Sequence, residues 1–352
     1  KSTLRRLIGA ASEISEMGYE EDEEIDKLLD EAERKLFNVS QKFLKQAFQP
    51  IDTLLSQAFD RIDELHKQSG KLRGLATGFN DLDNLLAGLQ KSDLIILAAR
   101  PSVGKTSFAL DIARQAAILN KAAVGIFSLE MSKEQLVDRM LCAEAGVSLW
   151  KMRTGKLSDK QESDDFSRIG SAMGVLSEVP IFIDDSPSAN IMEIRTKARR
   201  LQMEHKLELL VIDYLQLMEG RTRTGDNRVQ EVAEITRSLK GIARELNIPV
   251  LALSQLSRAV EQTRPAIPKL AHLRESGSIE QDADVVMFIY RKAADRGYET
   301  EELSTDEKNV AQIYVAKHRN GPVGKVHLFF DEETVSFKLS LIHISRAHET
   351  GR

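Results

Sequence analysis

The chain has 352 residues, of which 42% are hydrophobic, and 49 Lys and Arg against 54 Asp and Glu give a formal net charge of −5. That size and apolar content suffice for one large core plus a smaller appendage, and the slight acidity excludes a uniformly basic nucleic-acid binder, so any such contact must come from a local patch. The single cysteine, Cys142, excludes an internal disulfide and any cysteine-based zinc site. No apolar run reaches the ~18 residues of a membrane span, and the start lacks the apolar core of a signal peptide, so a soluble cytoplasmic protein without a membrane partner is expected.

Residues 1–70 are charged and helical in pattern. Ile25, Leu28, Leu29, Ala32 and Leu36 recur at helical spacing behind the acidic run 20–24, which suits the positive end of a helix. A second stripe, Ile51, Leu54, Leu55, Ala58, Phe59, Ile62 and Leu65, starts after Pro50, a natural first-turn residue, and needs a surface to be buried against. The polar stretch 68–74, with two glycines, reads as a linker.

Next comes a short continuous apolar run, 94–98, followed by Ala99-Arg100-Pro101-Ser102-Val103-Gly104-Lys105-Thr106-Ser107 and then by helical apolar spacing over 108–119. A loop between a buried strand and a helix aims several backbone N–H groups and the helix's positive end at one point, which suits the phosphates of ATP. Lys105 is placed to reach the β- and γ-phosphates and Thr106 to hold Mg²⁺ through its hydroxyl. Ala99 stands where the generic motif has its first glycine, a tolerable change provided that this position avoids positive φ. The apolar run 124–129 ends at Glu130, the candidate base that orients water. The run 209–212 ends at Asp213, the candidate second metal ligand, and the run 249–254 ends at Gln255, whose amide could sense the γ-phosphate. Polar groups at the carboxyl ends of several apolar strands are what an α/β nucleotide site requires. Helical runs at 190–205 and 229–246 separate these strands, the signature of a mostly parallel sheet, whereas the strands at 285–290, 310–316 and 326–330 follow one another without helices and should add antiparallel pairing at an edge. Between Asp213's strand and the next helix, Arg221, Arg223 and Arg228 make a basic segment that by itself reads as a solvated surface loop, with contact to nucleic-acid phosphates as the alternative.

Several of these stretches, together with Leu273-Arg274-Glu275-Ser276-Gly277 and Lys317-His318-Arg319-Asn320-Gly321-Pro322, resemble the DnaB family of bacterial replicative DNA helicases, over nearly everything up to about Phe337. The family itself carries Ala at the position of Ala99. The resemblance implies a RecA-like P-loop ATPase core at 75–339, a linker helix and linker at 49–74, and a remnant of the helical N-terminal domain at 1–48. It further implies a homohexameric ring that encircles single-stranded DNA and moves 5′ to 3′, with ATP and Mg²⁺ bound between subunits. Lys317 and Arg319 would act in trans on the γ-phosphate of a neighbour, and Arg274, Glu275 and Gly277 would touch DNA. Primase and a helicase loader are the further partners implied, although most of the domain that meets primase is missing from 1–48. The start at Lys1, without an initiator methionine, fits a piece of a longer protein, and 340–352, which resembles nothing at the family's end, is expected to be a non-native tail with incidental His343 and His348. Two other readings remain: a RecA-like DNA-dependent ATPase that does not unwind, and an assembly-defective nucleotide-binding fragment.

Overall fold

The computed structural model describes residues 72–159, 164–186, 190–218, 228–273, 277–298 and 303–339, with 2–18 and scattered positions between 25 and 63 of the N-terminal segment. The chain divides into two compact units, Lys1–Lys71 and Leu72–Arg352. In the first, α1 spans Ser2–Met17, and the described positions between 25 and 63 are helical, as their spacing requires. Ile51, Leu55, Phe59 and Ile62 of the second apolar stripe are all exposed.

The second unit is built on a nine-stranded sheet. After a short helix, α2 (Asn80–Leu86), the chain runs β1 (Leu94–Ala99), α3 (Lys105–Asn120), β2 (Val124–Ser128), α4 (Lys133–Ala145), α5 (Leu149–Thr154), α6 (Asp165–Ser177) and β3 (Ile181–Asp184). It continues with α7 (Ile191–His205), β4 (Leu209–Asp213), α8 (Arg228–Leu246), β5 (Val250–Gln255), α9 (Gly277–Asp282), β6 (Val285–Arg291), α10 (Thr305–Asn309), β7 (Val310–His318), β8 (Gly324–Asp331) and β9 (Ser336–Leu339). The strand order is β3-β2-β4-β5-β1-β6-β7-β8-β9, parallel from β3 to β6 and antiparallel beyond it. The expected antiparallel edge is therefore present. Strands β1, β2 and β4 are buried along their whole length because helices cover both faces, which is why they read as unbroken apolar runs.

Side chains alternate between two cores. Ile95, Leu97 and Ala99 of β1 pack with Phe108, Ile112 and Ala116 of α3, while Leu94, Ile96 and Ala98 join Ile194 of α7 and Leu239 of α8 on the opposite face. β2 follows α3 in the chain, but β4 and β5 lie between it and β1, so the carboxyl ends of all four strands stand side by side. The antiparallel end curls back: Phe337 of β9, four places from β1 in the sheet, donates its N–H to Asp111 of α3 at 2.6 Å.

Candidate active site

The loop leaving β1 owes its shape to two residues with positive φ, Ser102 at 65° and Gly104 at 111°. Ala99 is the last residue of β1, in extended backbone, so the position needs no glycine. Gly104 does: besides its φ, a Cβ there would lie 3.0 Å from Phe337 Cζ and 3.3 Å from Phe330 Cε2. It is the N-cap of α3, and its own position offers no side chain to cap the helix, which leaves the first-turn N–H groups aimed at the loop.

Lys105 and Thr106, at the start of α3, both meet Asp213 at the end of β4. Thr106 Oγ1 donates to Asp213 Oδ2 at 2.5 Å, and Lys105 Nζ lies 3.4 Å from Oδ1. Oδ1 is buried, and the ammonium beside it is its nearest charged partner, too poorly aligned to count as a full hydrogen bond. Lys105 also sits 4.1 Å from the Tyr214 ring centre, and the Asp213–Tyr214 peptide is cis. Burial pulls the Lys105 ammonium below its ordinary range, against the opposing pull of Asp213 and Glu130. Ser107, the last of the loop candidates, accepts from Arg139 Nη1 of α4 at 3.1 Å. Burial and the nearby Arg153 lower the Arg139 value, while Asp213 and Glu130 raise it.

Glu130, two residues past β2, is exposed at the rim of a cleft of about 430 Å³ whose walls include Gly104, Lys105, Thr106, Arg139, Gln255 and Phe330. Gln255 is held at the end of β5 by Gln216, which accepts from its backbone N–H at 3.2 Å and donates to Ser254 Oγ at 2.9 Å. Across the loop, a second hollow of about 620 Å³ is lined by Pro101, Val103, Tyr290 and Arg291. Arg291 is buried, pairs with Glu332 at 2.6 Å and stacks 3.7 Å over the Phe330 ring. The side chain of Arg100 is occupied elsewhere, donating to Glu261 at 2.7 Å and to the Leu256 carbonyl at 2.9 Å.

Lys317, on β7, and Arg319, just past its end, converge on the carboxyl end of α9. Lys317 Nζ donates to the carbonyls of Glu280 and of Ala283, the latter at 2.8 Å, and Arg319 donates to the Gln281 carbonyl at 2.9 Å and pairs with Asp284 at 3.2 Å. They stand at the opposite end of the sheet from this chain's own Lys105, Lys317 lying opposite Val286 near the start of β6. Of the candidate DNA contacts, Arg274, Glu275, Arg221 and Arg223 lie outside the described residues; Gly277 opens α9 and Arg228 opens α8. Arg139, Tyr214, Gln216 and the Phe330/Phe337 pair are site residues that the sequence alone did not single out. For Tyr214 and Gln216 a signal existed, since they lie one and three residues after Asp213, whereas nothing in the spacing marks Arg139 or the two phenylalanines.

Residues 74–339 match the family described as the DnaB-like helicase C terminal domain. The chain is 52% identical over 337 residues to the replicative DNA helicase DnaB of Geobacillus stearothermophilus and 51% identical to the replicative DNA helicase DnaC of Bacillus subtilis, covering 96% of this chain and 72% of each relative. Among solved structures it is similar to an ATPase domain with a TM-score of 0.76 at 35% identity, over 84% of this chain and all of that one. It is also similar to a DnaB-like replicative helicase described with its interactions with primase, with a TM-score of 0.81 at 33% identity over 96% of this chain and 76% of that one.

Proposed function

The chain belongs to the DnaB-like replicative DNA helicases, which are ATP-dependent enzymes, and from that premise we propose how its residues bind ATP, turn it over and engage DNA. The observation that carries the proposal is the convergence of Lys105 and Thr106 on Asp213 beside the open N-terminal N–H groups of α3. The backbone of residues 100–107 wraps the phosphates, and Lys105 leaves Asp213 for the β- and γ-oxygens once they arrive. Mg²⁺ fits the donors present: Thr106 and Asp213 make a hard oxygen set, and Asp213 Oδ1 is buried without a hydrogen bond from the described residues. Those two residues would hold the ion, which when bound neutralises charge on the phosphate oxygens. Glu130, exposed at the rim, orients the attacking water and takes its proton; Gln255 meets the γ-phosphate from β5. The hollow beside the loop, lined by Pro101, Val103, Tyr290 and Arg291, has room for the base.

The chain works as a ring of identical copies, in our proposal a hexamer moving 5′ to 3′ on single-stranded DNA. Two features support self-assembly. Ile51, Leu55, Phe59 and Ile62 are exposed in the single chain, and so are Phe166 and Met173 of α6, beside Gly170 and Gly174, where an added Cβ would meet open space. In the ring, 49–74 serves as the linker that docks on a neighbour, 75–339 as the motor and 1–48 as the remnant of a collar. Lys317 and Arg319 turn from α9 to the nucleotide of the adjacent subunit, while Arg274, Glu275 and Gly277, with Arg221, Arg223 and Arg228, face the DNA phosphates. Primase is a proposed partner because a similar structure is described with it.

The test is ATP hydrolysis by the purified chain with and without single-stranded DNA, alongside unwinding of a fork with a free 5′ tail. DNA-stimulated hydrolysis with unwinding, both lost in Lys105→Ala, is expected. Hydrolysis without unwinding supports the DNA-dependent ATPase reading, and full hydrolysis by Lys105→Ala removes the assigned site.

A further inference from the structure

The nucleotide loop is backed from an unexpected direction. Gly104 packs against the edges of Phe337 and Phe330, whose ring centres lie 4.9 Å apart, and Phe337 packs in turn on Phe108 of α3 at 5.0 Å. All three rings are buried. Phe337, however, belongs to β9, the last strand of the sheet, which pairs with β8 over four residues. An edge strand so short is weakly held by its ladder alone.

Besides that ring packing, one side chain hydrogen-bonds β9 to the helix that follows the loop. Asp111, in the helix that opens at Lys105, accepts the Phe337 N–H on Oδ2 at 2.6 Å, and its Oδ1 takes Arg114 Nη2 at 3.1 Å. Arg114 is paired with Glu144 of α4. Asp111 is buried in a region otherwise packed with apolar groups, and burial pushes its carboxyl up to about 6 despite Arg114, the Phe337 N–H and Lys338 of β9.

We propose that Asp111 is a positioning residue for ATP turnover: by holding the Phe337 N–H it seats the Phe330/Phe337 pair against Gly104 and so keeps the phosphate loop in its binding shape. The proposal rests on the reading of residues 100–107 as the phosphate site. Asp111 makes no contact with the nucleotide, so its effect falls on the affinity of the cradle rather than on the chemistry that Glu130 and Asp213 perform. Release of Phe337 lets the rings move off Gly104 and lets the loop relax toward shapes that hold phosphate less well.

The experiment compares the full chain with Asp111→Ala, Asp111→Asn and Phe337→Leu in steady-state ATP hydrolysis, with Lys105→Ala as a control. Asp111→Ala removes the acceptor and should raise KM for ATP about tenfold, the effect of losing roughly one hydrogen bond's worth of preorganisation, with kcat per folded chain kept within about twofold. Asp111→Asn keeps an acceptor oxygen for the N–H and should restore KM to near the original value. Phe337→Leu keeps the N–H and most of the buried volume but loses the aromatic edge on Gly104, so it should raise KM even if Asp111→Ala fails to fold. A purely structural role would lower the active fraction, and with it the apparent kcat, at constant KM; that result, or an unchanged KM in Phe337→Leu, overturns the proposal. Normal hydrolysis by Lys105→Ala would instead overturn the phosphate-site reading itself, whatever the Asp111 variants do.

Discussion

Replacing Arg319 with alanine separates a structural role from a role in turnover. The guanidinium pairs with Asp284 and donates to the Gln281 carbonyl, but its side chain is 47% exposed. An ion pair of that kind contributes about 1 kcal/mol or less. Asp284 is buried, yet without Arg319 it still holds the Leu94 N–H at 2.8 Å and the Lys240 ammonium, so no charge is orphaned. The stability loss therefore stays within about 1 kcal/mol. Reach decides the rest. Arg319 N bonds the carbonyl of Asp284, whose own N–H bonds Leu94 at the amino end of β1, whereas the phosphate loop leaves the carboxyl end at Ala99. Five residues of strand at about 3.3 Å each separate the two levels by about 17 Å, well beyond an arginine side chain. Any action of Arg319 on a γ-phosphate must then be on that of a neighbouring copy, and loss of such a cation costs about 10³- to 10⁵-fold in turnover. Arg319→Ala should match the original chain in urea unfolding to within about 1 kcal/mol and in affinity for a fluorescent ATP analogue, while hydrolysing ATP at least about 1,000-fold more slowly. Mixing it with Lys105→Ala, inactive by itself, should restore measurable hydrolysis, because some contacts then pair an intact loop with an intact arginine. Normal hydrolysis by assembled Arg319→Ala would refute the reasoning, and so would a loss of activity matched by an equal loss of folded protein.

Gly104→Ala should destabilise the chain by about 2–5 kcal/mol, adding the cost of a side chain at φ 111° to that of a Cβ 3.0 Å from Phe337 Cζ, and urea unfolding with an unchanged midpoint would contradict both terms. Asp111 makes stability depend on pH in a defined sense. Its folded-state carboxyl titrates at about 6 rather than 3.8, so between those values the folded chain holds a proton that the unfolded chain has released. Its cost, about 3 kcal/mol at pH 7.5, is relieved as pH falls through 6 toward 4. The original chain should accordingly gain stability relative to Asp111→Asn on going from pH 7.5 to 5, by urea midpoints at both values, and a gap that stays constant or widens against it would show that Asp111 is not the group responsible.

The two halves of the sheet differed in how much the sequence disclosed, for a physical reason. β1, β2 and β4 are covered on both faces, so each is an unbroken apolar run, and the first polar residue after or at its end marks where the strand meets solvent. Element and candidate residue are legible together there, as with Asp213 closing β4 and Gln255 closing β5. β3, an edge strand whose four residues are all half-buried, carries no such contrast and went unread, as did β9, with only its first two residues buried. Arg139 was equally silent, because a helix places it toward Ser107 by rotation about an axis that the surrounding sequence leaves unspecified.

Phe330 and Phe337 show why the remainder could not be read locally. Each looks in sequence like an ordinary core residue of a late strand, and each is one; what brings them to Gly104 is the curl of the antiparallel end over α3. β6 and β7 pair with a register irregularity between Val286 and Met287, a feature that bends and twists a sheet, and β9 is then close enough for its backbone to reach Asp111. The phosphate loop is thus shaped from two sides. Its acids stand at or just past the ends of parallel strands and its lysine opens the helix after one, places that a motif can mark, and its backing comes from hairpin strands that only the closed sheet delivers. A substitution at Phe337 that preserves hydrophobicity would pass unnoticed in the sequence and still alter the loop, because the glycine it touches has no side chain with which to fill the space.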